Sequence, residues 1–453
     1  MNIKKRKILF LLFVLAFLVI ASIMIFYAQG YRANISWPPN FNQSLQRTGM
    51  ILVETEPRGA EIYINGETPQ SWWQRLFSRE EEIVRTPTRI RNVKPGEHLL
   101  SVEMNGYHSW ERKIEVLPGR ITTISELYLL KRNLPLNLTS NEVSREFLSP
   151  DQKKIISLQD SKMIDLETSQ ITPLPELTPE SNIVWSPDSK KIILDEKLFD
   201  LEEKKVELNL EEILRPGITE VSWHPRGDKL YFLDQNSLKE LNLNTKKGRE
   251  ILSSEQKIFT IFPGQEVFFL IKEEVGENLM NLEIYNYSEF RKIRSIEIPF
   301  SEKYEITATP RPGLISLYDR RFKDLYLLKP LSPVVLRESL KNVSYFEWRN
   351  NQEIVYGNDF EIWTFNLVSY DKEIITRLSQ KIKGVAVLPK CRKIVYYHQD
   401  RINTLDLEND RLNKTELASL NNLSDLFSSK SEGVLYFNAQ VGNRTGLHKL
   451  IVY

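Results

Sequence analysis

The chain has 453 residues, which is long for one ordinary domain and predicts two or three. Lys and Arg total 61 against 60 Asp and Glu, and this even balance argues against a nucleic-acid partner, which needs a basic face. Hydrophobic residues make up 41% of the chain, enough to build folded cores. The one cysteine, Cys391, cannot close an intrachain disulfide and is expected to be a small buried hydrophobe.

The N-terminus carries a long apolar run. Residues 8–28 contain no charge, and Ser22 is their one polar residue. As a helix they would span about 31 Å, the thickness of a bilayer's hydrocarbon core. Four basic residues at positions 4–7 precede the run, and the next charge is Arg32. The positive-inside bias therefore predicts a cytoplasmic tail at 1–7, one transmembrane helix at 8–28, and the bulk of the chain outside the cell membrane.

The alternative for this run is a cleaved signal peptide, whose apolar region has about 7 to 15 residues and ends in a small-x-small site. Here the run is longer and ends Phe26-Tyr27-Ala28, with a bulky residue at the first position of that site. The sequence therefore favours an anchor. Residues 29–47 show no sustained period and include Pro38-Pro39, so they are predicted to be a tether.

Residues 48–131 predict a small antiparallel β-sandwich, because short alternating apolar segments are separated by Gly, Pro and Asn turns. The ordered set of turns resembles the PEGA domain family, and the resemblance covers residues 50–130. It implies a non-catalytic adhesion or scaffolding module. The matching features are Glu56 to Gly66 (EPRGAEIYING), Thr86-Pro87-Thr88, Pro95-Gly96-Glu97-His98, Gly106-Tyr107 and Pro118-Gly119.

An insertion at 67–85 departs from that pattern, since the family usually has a short loop there. Ser71 can cap a short helix that places Trp72, Trp73, Leu76 and Phe77 on one side. This face is a candidate binding site for a membrane interface or for a partner's groove. The alternative is that the helix folds back over the sandwich and supplies core.

Residues 132–453 repeat a unit of one apolar strand, a turn and a second apolar strand. Eight such units recur at a spacing near 40 residues, which is typical of the blades of a β-propeller. Seven blades remain possible if the fourth unit, with its longer spacing, is irregular. Leu134 to Thr139 could supply the outer strand that the last unit lacks and so close the ring. The turn markers are Pro150, Pro187, Pro225, Pro263, Pro310, Asn350, Pro389 and Ser429.

The fold class expected from these features is all-β: one N-terminal transmembrane helix, a PEGA-like sandwich, and a propeller that resembles WD40-like and TolB-like propellers. No catalytic, metal or cofactor site is predicted. The five histidines form no metal-binding spacing, and GxSxG, P-loop and GxGxxG motifs do not occur. Paired carboxylates, as glycosidases use, cannot be recognised without geometry.

Two functional hypotheses follow. The first is a non-enzymatic, membrane-anchored scaffold on the outer side of a bacterial cell envelope, whose propeller binds an envelope protein or glycan. The second is an envelope glycan hydrolase or lyase, which requires a carboxylate cluster at one mouth of the propeller channel.

Overall fold

The computed structural model describes residues 3–28, 30–33, 45–69, 83–139, 146–158, 160–178, 180–210, 218–234, 236–274, 279–388, 390–407, 414–429 and 433–453. The chain divides into two compact units. The first unit comprises Met1–Asn133, Glu408–Thr415 and Val452–Tyr453, and the second comprises Leu134–Leu407 and Glu416–Ile451.

The helix α1 (Ile3–Ala28) contains the apolar run. Its segment Arg6–Phe26 has 21 residues, a mean hydropathy of 3.2, and none of its surface buried. It is long and apolar enough to cross a membrane, a criterion that an N-terminal signal sequence also meets. A short antiparallel pair of β1 (Tyr31–Ala33) and β2 (Leu45–Arg47) follows. This pairing lies inside the predicted tether and was not expected, while Pro38-Pro39 falls outside the described residues.

Two three-stranded sheets form the sandwich, in the orders β5-β3-β8 and β4-β6-β7. Strand β3 pairs antiparallel with β5 but parallel with β8, so the expectation of a fully antiparallel sandwich was wrong. A parallel pair needs a long crossover, and most of the domain lies between these two strands. The strands are β3 (Gly49–Glu56), β4 (Glu61–Ile64), β5 (Thr88–Val93), β6 (Gly96–Glu103), β7 (Trp110–Val116) and β8 (Ile121–Tyr128).

The sandwich core follows from the alternation of these strands. The inward positions of β3 are fully buried, as at Ile51 and Val53, and they pack against Ile62 of β4 and Leu100 of β6. The turn after β4 has positive φ at both Asn65 (51°) and Gly66 (81°). The Asn-Gly pair predicts a type I′ turn, and that turn requires positive φ at both residues.

Eight four-stranded antiparallel sheets make up the second unit, and each is one blade of a propeller. Blade 1 contains β10 (Glu146–Leu148), β11 (Lys154–Ser157), β12 (Lys162–Asp165) and β13 (Ile171–Pro173), and blade 2 contains β14 (Ile183–Trp185), β15 (Lys191–Leu194), β16 (Lys197–Asp200) and β17 (Lys205–Asn209). Blade 3 contains β18 (Ile218–Trp223), β19 (Lys229–Asp234), β20 (Ser237–Asn242) and β21 (Lys247–Ser253), and blade 4 contains β22 (Ile258–Pro263), β23 (Val267–Glu273), β24 (Leu279–Asn286) and β25 (Lys292–Pro299). Blade 5 contains β26 (Tyr304–Ala308), β27 (Ile315–Asp319), β28 (Asp324–Leu328) and β29 (Leu336–Leu340), and blade 6 contains β30 (Tyr345–Trp348), β31 (Glu353–Gly357), β32 (Glu361–Asn366) and β33 (Lys372–Arg377). Blade 7 contains β34 (Ile382–Leu388), β35 (Lys393–His398), β36 (Arg401–Asp406) and β37 (Lys414–Ser419). Blade 8 contains β38 (Asn421–Ser428), β39 (Val434–Val441) and β40 (Arg444–Ile451), and β9 (Leu136–Asn137) is its outermost strand.

The eight-blade prediction is confirmed, since every predicted hairpin forms the first two strands of a blade; the marker Pro389 lies outside the described residues. The fourth blade is regular. Its strands β24 and β25 have eight residues each, which accounts for part of the longer spacing.

The predicted ring closure is also confirmed. Strand β9 pairs antiparallel with β40, which places Asn137 opposite His448, and the Leu138 amide donates to the Leu447 carbonyl at 2.8 Å. His448 is fully buried, with Nδ1 2.8 Å from the Gly446 carbonyl and Nε2 3.3 Å from Asn137 Nδ2. Burial lowers the pKa of His448, so the imidazole is neutral at the seam of the ring.

The blade topology defines two ends of the propeller. Because antiparallel strands reverse direction at every turn, the first and third turns of a blade lie at one end. The second turn and the connection to the next blade lie at the other. We call these the first-turn end and the second-turn end.

Candidate functional sites: two clefts between blades

The predicted binding face of Trp72, Trp73, Leu76 and Phe77 lies outside the described residues, so it stays a prediction. The described part of the propeller contains two clefts between neighbouring blades that sequence reasoning did not identify. One is apolar and one is polar.

The apolar cleft lies between blades 4 and 5 at the first-turn end and has a volume of about 280 Å³. The first turns of both blades and the third turn of blade 5 build its walls. Its main lining residues are Phe262, Val267, Phe269, Pro310, Pro330 and Leu331. The charged residues on its walls are Glu266 and Arg311. Such a site can receive a bulky apolar side chain.

The cleft is held in a fixed shape by prolines and by one arginine. Prolines restrict φ in its loops, at Pro263, Pro310, Pro312, Pro330 and Pro333. The Arg294 guanidinium donates to the carbonyls of Pro330 (3.1 Å) and Ser332 (2.7 Å) and so fixes the third turn of blade 5. Rigid loops lose little conformational entropy when a ligand binds.

Exposed apolar side chains in and beside the third turns of blades 5 and 6, at the same end of the propeller as the cleft, form a group that we call the apolar strip. Its side chains keep between 49% and 60% of their surface exposed. An ion pair between Lys372 Nζ and Glu338 Oε1 (3.3 Å) connects the two blades beside it. Exposed apolar patches mark interaction sites. The strip consists of Leu331, Val334, Leu336, Val368 and Tyr370.

The polar cleft lies between blades 2 and 3 at the second-turn end, with a volume of about 560 Å³. Four acidic residues are among those that line it: Glu176, Asp195, Glu196 and Glu220. Asp195 already accepts hydrogen bonds from Ser181 Oγ (3.2 Å) and from the Asn182 amide (2.9 Å).

Glu220 is the unusual member of this group. Its Oε1 accepts from Thr260 Oγ1 (3.0 Å) and its Oε2 from the Ile261 amide (3.2 Å), both on the innermost strand of blade 4. Burial raises the pKa of Glu220 to about 7, although both hydrogen bonds favour the charged form. The carboxyl therefore joins two blades and titrates near neutrality.

A second glutamate joins neighbouring blades in the same manner. Glu347 Oε2, on the innermost strand of blade 6, accepts from the Val387 amide (2.8 Å) on the innermost strand of blade 7. Glu220 and Glu347 thus share a structural role, since each joins two neighbouring blades.

Other buried ionisable groups are structural. Glu240 pairs with Lys229 (3.1 Å) in blade 3, and Glu283 pairs with Lys272 (3.1 Å) in blade 4, so each buried carboxylate is neutralised within its own sheet. Cys391 is buried as expected, and burial raises the pKa of its thiol to about 11. Within the described ranges, no group of three or more His, Cys, Asp or Glu side chains has a geometry that could hold a metal ion.

In the first unit, the sandwich carries an open cleft of about 570 Å³ that is lined by charges of both signs. Glu61 and Arg85 form an ion pair across 3.2 Å, and Glu103 and Arg132 line the same cleft. This balance gives no charge preference for a ligand.

Comparison with known families matches residues 80–128 to the PEGA domain, and the chain therefore carries the PEGA domain that its turns indicate. No curated protein matches the chain.

Similar solved structures include the following three. The C-terminal WD40 domain of Sif2 is 15% identical, with a TM-score of 0.49 over 71% of this chain and 98% of that chain. The Dos1 propeller is 14% identical, with a TM-score of 0.47 over 70% and 94%. The dihydro-heme d1 dehydrogenase NirN in complex with DHE is 10% identical, with a TM-score of 0.47 over 72% and 76%. The propeller assignment here rests on the eight four-stranded sheets themselves.

Proposed function

We propose that this protein is a membrane-anchored scaffold of a bacterial cell envelope and that its propeller binds a partner polypeptide through the apolar cleft and the apolar strip. Residues 8–28 would hold it in the cell membrane, with 1–7 in the cytoplasm and the PEGA domain and propeller outside. The observation that carries the proposal is a preformed apolar cleft, one of whose lining residues, Leu331, is half exposed, together with further exposed apolar side chains at the same end of the propeller. Trp72, Trp73, Leu76 and Phe77 would add a second contact, with the membrane or the partner.

The chemistry of the cleft favours a polypeptide over a glycan. Glycan hydroxyls that leave water need hydrogen-bond partners. The walls of the apolar cleft consist mainly of Phe, Pro, Val and Leu side chains. A large apolar side chain gains free energy there because it loses contact with water.

The test is capture of the partner by the full-length protein in native membranes, with crosslinking and mass spectrometry. Leu336→Asp should reduce recovery of the captured protein about tenfold, because it places a charge in the middle of the apolar strip. Ile171→Asp is the matched control, since Leu336 and Ile171 are both 49% exposed and both lie on the fourth strand of a blade. Equal recovery with the two variants would reject this surface as the binding site.

The membrane topology has its own test. Protease added to intact spheroplasts should digest the propeller and leave an N-terminal tag protected, with the tag still attached to the helix. A tag that is released from the rest of the chain would instead identify the helix as a cleaved signal peptide.

A second candidate function is that of an envelope glycan hydrolase or lyase, and the polar cleft favours it. Four acidic residues line that cleft, and for one of them, Glu220, a carboxyl pKa of about 7 suits a general acid. The purified full-length protein would then cleave one member of a panel of envelope glycans, and Glu220→Gln would abolish the cleavage while the ring stays folded. A protein inert against the whole panel would eliminate this candidate.

A further inference from the structure

We propose that the partner segment is acidic: an extended chain that places one bulky apolar side chain in the apolar cleft and Asp or Glu side chains beside it. This inference rests on the proposed function and names the chemistry of the partner.

The surroundings of the cleft carry an excess of positive charge. Arg311 lines the cleft, and Lys329 lies in the third turn of blade 5, which forms one wall. Arg294 and Arg337 both bind that same turn. In the part of the chain that the structure describes, none of these four cations has a carboxylate oxygen within 4 Å. Glu266 is the one acidic residue on the walls.

Two of these cations are fixed in place without being neutralised. Arg294 donates to the carbonyls of Pro330 and Ser332, and Arg337 donates to Ser332 Oγ at 3.3 Å. Carbonyl and hydroxyl oxygens orient a guanidinium but leave its full charge. The turn therefore presents a positive potential beside an apolar cavity, and this potential favours carboxylates and disfavours a basic segment.

Several cations elsewhere in these blades pair with acids. Lys341 pairs with Asp324 (2.6 Å), and Lys381 pairs with Asp359 (2.9 Å), both at the second-turn end of blades 5 and 6. At the third turn of blade 5, by contrast, cations without a carboxylate partner among the described residues lie beside exposed apolar side chains. A partner with both carboxylates and an apolar anchor would complement both features.

The experiment is selection of a phage-displayed library of random peptides on the full-length protein in nanodiscs of zwitterionic lipid. Peptides eluted from the wild type should be enriched in Asp and Glu around one Phe, Leu, Ile or Trp. Arg311→Glu should lower the affinity of a selected peptide about fivefold, as the loss of one charge contact at the edge of an interface would. Arg226→Glu is the matched control, because Arg226 also follows a proline in the first turn of a blade.

The outcomes separate the two proposals. If the wild type and Leu336→Asp select the same peptides, the apolar strip does not bind them, and the proposed function fails together with this inference. If peptides are enriched and lost in Leu336→Asp, but they are neutral or basic, the binding surface stands and the acidic partner is rejected. If the protein instead binds phosphatidylglycerol vesicles through Arg311 and selects no peptide, the ligand is an anionic lipid surface. The proposal of an acidic polypeptide is then rejected.

Discussion

The apolar and polar clefts both lie between neighbouring blades, but they use their side chains differently. At the polar cleft, Glu220 accepts two hydrogen bonds from blade 4 and so joins two blades, and Asp195 accepts two from Ser181 and Asn182, so both carboxyls have hydrogen-bond partners. At the apolar cleft, Phe262, Pro310 and Leu331 face an open space of about 280 Å³, and the nearby cations face no carboxylate among the described residues.

This difference indicates that the two clefts contribute differently to the stability of the fold. A fold lowers its free energy when it pairs buried polar groups and covers apolar surface. The polar cleft meets the first condition, whereas the apolar cleft and strip leave surface uncovered at some cost. We therefore expect changes in the polar cleft to affect mainly stability and changes in the apolar cleft to affect mainly binding.

The largest expected effect is a pH dependence of stability that originates in the polar cleft. The pKa of Glu220 rises from 4.5 to about 7 on folding, so the folded state binds this proton more tightly than the unfolded state. Stability therefore falls as pH rises from about 4.5 to about 7, by about 3 kcal/mol for this group, and levels off above that window. Chemical unfolding of wild type and Glu220→Gln at a series of pH values should show this fall in the difference between them.

A constant difference between Glu220→Gln and wild type across that pH range would contradict the prediction. It would mean that Glu220 has the same pKa in the folded and the unfolded protein.

A smaller effect is expected from Arg294→Leu, which releases the third turn of blade 5. Two hydrogen bonds to the carbonyls of Pro330 and Ser332 are lost, but water can replace them at this partly exposed site. Stability should fall by about 1 kcal/mol. Hydrogen exchange should accelerate at the amides of Leu331 and Ser332, and peptide affinity should fall because the cleft is no longer preformed.

Arg291→Leu is the control for this variant, because Arg291 is an exposed arginine that precedes the same strand β25. Unchanged exchange at the third turn of blade 5 in Arg294→Leu would show that the prolines alone fix the cleft.

The architecture was predictable because local signals repeat. A turn marker recurs about every 40 residues between apolar strands, and this period predicts blade number and the need for a closing strand such as Leu136–Asn137. The parallel pairing of β3 with β8 was not predictable, since each strand alone shows the same alternation in either orientation.

The clefts could not be predicted from the sequence for a related reason. Phe262 and Pro330 belong to different blades, and whether a gap opens between blades depends on side chains that meet only in the ring. Glu220 resembles an ordinary exposed acid in an alternating strand. A β-bulge between Ile218 and Glu220 shifts the register there, and no sequence signal marks that bulge.

The smallest change in stability is expected from a pair of matched substitutions, one in each cleft, and this pair compares the two clefts most directly. Leu331 lines the apolar cleft and is 51% exposed, and Val206 lines the polar cleft and is 47% exposed. Each can be replaced by serine, and both variants should keep the free energy of unfolding within about 0.5 kcal/mol of wild type, since half-exposed side chains contribute little to it. Only Leu331→Ser should weaken binding of the selected acidic peptide, by about tenfold in a fluorescence titration. A loss of peptide affinity in Val206→Ser would place the partner on the polar cleft instead, and equal affinity of both variants and wild type would exclude the side chain of Leu331 from the contact.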